Sequence, residues 1–269
     1  MVELERVIPK SMKFTKKQIN DLKNIMSVEE EMIPLLSLFK PKNRILNPWE
    51  KEFPKIFKTL RLKKGMKVLD IPCGQGGVSV PLAKKYGVKV VGYDILPSYV
   101  RYAREYALEL NVSHLCKFKA KDIRGVVKEK NIYDLLLWVG PPHVWGRSKP
   151  TIKRLKNPVK HDGLIVIADA YLNPGIKQKG MYKDYESFKN TTGGYTSLGD
   201  EIVDVFDYKS SLWKFDYDRT RKEVAQGVKR AKTEKDRNIV KRCLASIDSF
   251  QGMDLKDLGL AIWVLRVKK

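Results

Sequence analysis

Cysteine and histidine are scarce. The three cysteines, Cys73, Cys116 and Cys243, form no C-x-x-C pair, and none of the three histidines, His114, His143 and His161, pairs with another His or Cys at metal-ligand spacing. A disulfide framework, a structural zinc site and any other metal site are therefore not expected. Long apolar runs are also missing. No stretch reaches the length of a membrane span, and the N-terminal MVELERVIPK lacks the apolar centre of a secretory signal. No membrane partner is expected, and the cytoplasm is the expected compartment. Acidic residues are few beside basic ones: 31 Asp and Glu against 53 Lys and Arg, a net charge of +22. That imbalance suits an acidic partner such as RNA, an anionic substrate, or the lysine-rich surface of a thermophile protein. Lysines are spread over nearly every helical face, whereas binding footprints are expected to cluster, so the spread favours the thermophile surface.

The 269 residues suit one large domain with additions, with a core that needs no staples. Residues 1–60 read as a helical cap. Ile19, Leu22 and Met26 share one helical face. Ser27 and Glu30 form a capping-box pattern for a second helix through Met32, Leu36 and Phe39, with Pro34 set to kink it. Asn47-Pro48-Trp49-Glu50 is a further start signal, for a helix through Phe53, Ile56, Phe57 and Leu60.

From residue 67 strands alternate with helices. Short apolar runs occur at 68–71, 88–93, 116–118, 133–138 and 164–168. Between them, Val100, Ala103, Ala107 and Leu110 mark the clearest helix. The runs are unbroken, as expected for parallel strands covered on both faces. Two more strands are expected at 201–206 and 258–267, giving a doubly wound, seven-stranded α/β sheet. A lid loop is expected over 171–198, punctuated by Gly175, Gly180, Gly193 and Gly194. An inserted charged helix is expected over about 220–250, with Gly252 as its stop.

The strongest local signal is VLDIPCGQGGVSVPLA, residues 68–83. A buried strand ends in Asp70, a glycine-rich turn follows, and a helix begins near Gly76 or Gly77. Glycine permits a sharp turn and close approach of a ligand; the helix start offers free N–H groups. Asp94, 20 residues after Gly74 at the next strand tip, is suited to accept both hydroxyls of a ribose. The dinucleotide fingerprint G-x-G-x-x-G would need glycine at position 79, which is Ser79. S-adenosylmethionine (SAM) has no pyrophosphate and needs an acid near its amino and ribose groups, where Asp70 stands ready.

Val68-Leu69-Asp70-Ile71-Pro72-Cys73-Gly74-Gln75-Gly76 resembles the first motif of the class I SAM-dependent methyltransferases, with Pro72 where that family usually has Gly. The resemblance covers roughly residues 45–269. It implies a Rossmann-like sheet with an antiparallel last strand and SAM as cofactor. It carries cofactor contacts to Asp70, Pro72, Cys73, Gly74 and Gly76. Asp94 and Ile95 are carried over at the ribose, Asp122 and Ile123 at the adenine, and Trp138, Val139 and Gly140 beside the methionine moiety. Tyr133-Asp134-Leu135-Leu136-Leu137-Trp138 matches its fourth strand, and His161-Asp162-Gly163 resembles its turn into the fifth. Asp162 replaces a glycine there, which Asp tolerates because it accepts left-handed conformations.

Methyl transfer asks the protein to align nucleophile, carbon and sulfur and to exclude water. Acceptor residues belong beyond the strand tips. Gly140-Pro141-Pro142-His143 lacks the Asn or Asp of the motif that presents base amino groups. His143 is a candidate base or acceptor ligand, or a loop histidine bonded to backbone. Asp169 is a candidate catalytic carboxylate, or a loop cap. Trp145, Tyr171 and Tyr195 are candidate acceptor-binding rings, or packing. The resulting expectation is a small-molecule methyltransferase; an RNA methyltransferase, a non-catalytic SAM-binding protein and an NAD-dependent oxidoreductase are its rivals.

Overall fold

Strands buried on both faces form where the apolar runs lie, because helices cover each side of the sheet. The computed structural model describes residues 14–26, 30, 31, 33, 35, 52–140, 143–209 and 213–269. Its strands are β1 (Lys67–Asp70), β2 (Lys89–Asp94), β3 (Cys116–Ala120), β4 (Tyr133–Val139), β5 (Val159–Leu172), β6 (Glu201–Lys209) and β7 (Leu258–Arg266). Its helices are α1 (Lys16–Met26), α2 (Phe53–Thr59), α3 (Ser79–Tyr86), α4 (Pro97–Glu109), α5 (Ser148–Leu155), α6 (Phe188–Thr196), α7 (Trp213–Arg230) and α8 (Glu234–Asp257).

The seven strands order as β3-β2-β1-β4-β5-β7-β6. Neighbours from β3 to β5 pair in parallel, while β7 runs antiparallel to both β5 and β6. The expected Rossmann-like sheet with its antiparallel last strand is therefore present. The order reverses between β1 and β4, which opens a crevice at their carboxyl ends. Alternate strand residues feed two cores. Val68, Val90, Leu135 and Val166 pack under α2, α3 and α4. Leu69, Leu136, Ile165 and Trp263 pack under α5 and α6. A third cluster joins α1, α4, α7 and α8 through Leu22, Leu96, Tyr99, Val224 and Val240.

Asp134 anchors the foot of β4: its Oδ2 accepts the Lys67 N–H at 2.7 Å and its Oδ1 accepts Lys160 Nζ at 2.7 Å. Asp162 takes the left-handed conformation expected of it, with φ +57°. In the N-terminal segment, α1 matches the expected helix through Leu22, and α2 carries buried Phe53, Ile56 and Phe57. The Asn47–Glu50 start signal and Ser27, Met32, Pro34, Leu36 and Phe39 lie outside the described residues.

Three expectations need correction. The single inserted helix is two, because Thr233 caps a fresh start: its carbonyl accepts the Arg237 N–H at 3.0 Å and its Oγ1 the Asp236 N–H at 3.0 Å. Gly252 does not stop α8, which runs on to Asp257 and into β7. Residues 171–198, expected as a lid loop, contain α6, opened by Ser187 accepting the Asn190 N–H. Gly194 lies where α6 presses on α5; a Cβ there would stand 1.8 Å from Ser148 Oγ. What reads in sequence as loop punctuation is a close helix contact.

Candidate active site

The turn after β1 is shaped by left-handed glycines. Gly74 has φ +50° and Gly76 φ +76°. Pro72 follows Ile71 through a cis peptide bond. Cys73 is buried; its N–H donates to Tyr93 O at 2.9 Å, tying the turn to β2, and its carbonyl accepts the Gly76 N–H at 2.9 Å. A Cβ at Gly76 would lie 2.8 Å from Val80 Cγ2 and 3.2 Å from Ala103 Cβ, so glycine also lets α3 and α4 approach. A Cβ at Gly74 would meet nothing within 4 Å, leaving open space above the turn.

Asp94 closes the turn from the tip of β2. Its Oδ2 accepts the Gly74 N–H and its Oδ1 the Leu96 N–H, both at 2.9 Å. Each oxygen keeps a further lone pair for a ribose hydroxyl. Burial pushes its carboxyl up to about 6, against the pull of those backbone donors. Ile95 follows, half-buried, against the α1, α7 and α8 cluster. Asp70 is more deeply placed, 2% exposed. Burial pushes its carboxyl up to about 7; Ser79 opposes this and the Asp94 charge adds to it. Asp70 Oδ2 has no hydrogen-bond partner among the described residues. A buried acceptor without a donor is costly, and an ammonium group would satisfy it. The orphaned Asp70 oxygen, the open space over Gly74 and the Asp94 carboxylate together fit the amino acid and ribose portions of SAM.

The tip of β3 is already engaged. Asp122 caps the turn Ile123–Gly125 through the Arg124 N–H at 2.9 Å. Arg124 also grips the carboxylate with Nε and Nη2, the latter at 2.6 Å, and Gln18 of α1 donates to Oδ2 at 3.0 Å. Burial works to raise its pKa, but the Arg124 and Gln18 bonds prevail and hold it below the usual carboxylate range. Ile123 is buried beside it.

At the tip of β4 alternation separates the candidates. Val139 faces the α3 and α4 side, as does Asp70, while Trp138 faces α5 and α6. Trp138 stacks on Trp145 with ring centroids 5.1 Å apart, and Arg154 lies over Trp145 at 6.0 Å. Gly140 is left-handed and donates to Ala168 O at 3.0 Å, fixing the exit from the strand.

Asp169, one residue beyond the last β4–β5 pair, is 8% exposed. Its Oδ1 accepts the Ala170 N–H at 2.7 Å and its Oδ2 accepts the Tyr195 hydroxyl at 3.0 Å. Burial raises its pKa; His143 pulls it down and Glu186 raises it further. His143 meets the Tyr185 ring edge-on at 4.7 Å. Glu186 accepts from the Ser148 N–H at 3.0 Å and hydroxyl at 2.5 Å. Asp169, His143, Tyr185, Glu186 and Tyr195 thus gather beside the Trp138–Trp145 stack. Tyr195 is 1% exposed and fixes Asp169 from below rather than lining a surface. Tyr171 stands away from this group: its hydroxyl donates to Asp207 on β6 at 2.6 Å, and its ring packs on Phe188, Trp263 and the bare backbone of Gly259. Glu186, Ser148, Gln18 and Arg124 were missed by sequence reasoning. No spacing rule links Gln18 to Asp122 or Ser148 to Glu186. Among the described residues no group of three or more His, Cys, Asp or Glu is placed to hold a metal ion, and no helix is long and apolar enough to cross a membrane.

The family described as "Methyltransferase domain" matches residues 62–223. The uncharacterised protein YjhP of Escherichia coli is 23% identical over 180 residues, 64% of this chain and 72% of that protein. Phosphoethanolamine N-methyltransferase 1 of Zea mays is 30% identical over 131 residues, 45% of this chain but 26% of the maize protein, so the chain spans about a quarter of that relative. The crystal structure of a SAM-dependent methyltransferase from Geobacter sulfurreducens, with S-adenosylhomocysteine, superposes with a TM-score of 0.75 at 19% identity, covering 93% of this chain and 98% of that one.

Proposed function

The chain belongs to the methyltransferase-domain family, the class I SAM-dependent methyltransferases, and on that premise we propose that it methylates a small amine. The observation that carries the acceptor is the buried Asp169 carboxylate with His143 beside it, next to the stacked Trp138 and Trp145 rings. A cationic ammonium is attracted by Asp169 and Glu186. The name of the maize relative, an N-methyltransferase, supports the same chemistry.

When bound, SAM supplies a methyl group already activated on a sulfonium. The residues of this chain do the rest. Asp70 would hold the ammonium of the methionine portion, Asp94 would accept the ribose hydroxyls, and Val139 and the Gly140 backbone would flank the methionine chain. Pro72, Cys73, Gly74 and Gly76 form the turn that would support it. The Ile123 side chain would lie against the adenine, and Asp122 would accept its amino group in place of the Gln18 amide that now occupies Oδ2. An amine arrives protonated, so its lone pair must be freed. His143 takes that proton on a ring nitrogen, and Asp169 stabilises the imidazolium while Tyr195 holds the carboxylate in place. Trp145 and Tyr185 exclude water from the acceptor.

The test is transfer of tritiated methyl from SAM to separated small-amine, other small-metabolite and RNA fractions. Label in the amine fraction, lost in His143→Ala, is the expected result. Label confined to another fraction overturns the amine reading. Label in RNA would assign the positive charge instead to a polynucleotide acceptor, for which exposed Lys117, Lys119 and Lys121 along one side of edge strand β3 are the candidate phosphate contacts.

A further inference from the structure

Tyr99 stands in the first turn of α4, directly after the Asp94 strand tip. It is 5% exposed, and its ring packs among Leu96, Tyr102, Leu22 and Val240. The ring is therefore held from outside by α1 and α8, and its position is fixed by the third core. Its hydroxyl is different. It is buried and has no hydrogen-bond partner among the described residues. Buried hydroxyls nearly always find a partner, so one without any invites a ligand. Burial raises the phenol's pKa, and the charge of Asp94 raises it further, which puts the two groups in electrostatic reach. Asp94 does not use this donor; its oxygens take the N–H groups of Gly74 and Leu96.

We propose that Tyr99 is a further cofactor-binding residue, whose hydroxyl donates to a ribose oxygen of the adenosine held by Asp94. The inference rests on the reading of Asp94 as the ribose ligand. An ionised carboxylate only accepts, so each ribose hydroxyl must spend its proton on Asp94. The hydroxyl oxygen is then left with lone pairs that need a donor. Tyr99 supplies a spare O–H at that end of the site. The resulting chain, phenol to ribose hydroxyl to carboxylate, runs in one direction, and such chains reinforce each bond in them. The ring is locked by the helical cap, so the donor is presented without loss of rotamer freedom on binding.

Tyr99→Phe removes the hydroxyl and keeps the ring. Calorimetry with S-adenosylhomocysteine on the full chain should show affinity weakened about three- to tenfold, the scale of one neutral hydrogen bond. With a homologue of that ligand lacking both ribose hydroxyls, Tyr99→Phe and the unaltered chain should bind alike. The ligand-free melting temperature should stay level or rise, since an unsatisfied polar atom has gone. Undiminished affinity for S-adenosylhomocysteine overturns the proposal, and so does an equal loss with the dideoxy ligand, which would put the contact on the base. An Asp94→Ala chain that keeps full affinity would overturn the premise on Asp94 instead, so the two failures are told apart.

Discussion

Acidification should weaken cofactor binding steeply, through Asp70. This carboxyl is 2% exposed, one oxygen lacks a donor, and burial lifts its pKa to about 7 with Ser79 opposing and Asp94 assisting. An ammonium group binds the ionised form. The apparent affinity then falls by the factor 1 + 10^(pKa − pH), which between about pH 8 and about pH 5 is roughly 100-fold, or about 2.7 kcal/mol. The assay is calorimetric titration with S-adenosylhomocysteine across that range, in two buffers of different ionisation enthalpy. Close to one proton should be released per ligand near pH 6, because binding ionises an acid that the ligand-free protein keeps protonated. Stability of the ligand-free chain should move the opposite way. The folded pKa lies above the unfolded value of 3.8, so the folded state retains a proton that the unfolded chain has shed. Stability is therefore greatest below about pH 4 for this group and declines as pH rises to about 7, by about 4 kcal/mol. Asp70→Asn should bind weakly at every pH and flatten both curves. Constant affinity from pH 5 to pH 8, or binding with no proton released, would refute the reasoning.

Asp94→Ala should weaken S-adenosylhomocysteine binding by about 1.5–3 kcal/mol, the scale for hydrogen bonds to a charged group, measured by calorimetry at neutral pH. Asp169→Asn should leave that affinity unchanged and lower kcat, because in the proposed mechanism its carboxylate stabilises the His143 imidazolium; an unchanged rate in single-turnover assays would remove it from the chemistry. Gly194→Ala should lower the melting temperature. The added methyl would sit 1.8 Å from Ser148 Oγ and 3.1 Å from the Lys149 backbone nitrogen. Overpacking of that kind costs about 1–3 kcal/mol, more than the gain of up to about 1 kcal/mol from replacing a helical glycine.

Local order made much of the proposed cofactor site legible. Asp70, Gly74, Gly76 and Asp94 lie on one strand–turn–helix–strand path, where sequence spacing and spatial proximity coincide. Val139 and Trp138 could be placed at a strand end, but not on opposite faces of it, because a buried parallel strand is apolar on both sides and shows no alternation. The proposed acceptor site was harder. Asp169 was found from its strand tip, whereas the residues that fix it, Tyr195 and Glu186, come from a segment that reads as a loop. Gly193 and Gly194 caused that misreading: the tight α5–α6 packing that requires Gly194 is a tertiary fact, invisible to propensity, while a Cβ at Gly193 would meet nothing. Tyr171 shared Asp169's strand and face, yet Gly259 and Asp207, distant in sequence, draw its ring toward β6. Charge concealed a further break: residues 220–250 look like one helix, since a single Thr233 cap is a weak signal within a polar run.

The strand order carries a consequence for biosynthesis. β7 lies between β5 and β6, so β6 is made long before the neighbour that will hold it. While the ribosome adds α7 and α8, the segment Glu201–Lys209 has no ladder to join, and β5 presents an open flank. Completion of the sheet therefore waits for the nine residues Leu258–Arg266 to thread antiparallel between two parallel strands. The acidic side chains of Glu201, Asp204 and Asp207 are carried by that waiting segment, and in a nascent chain they guard it against pairing with another copy.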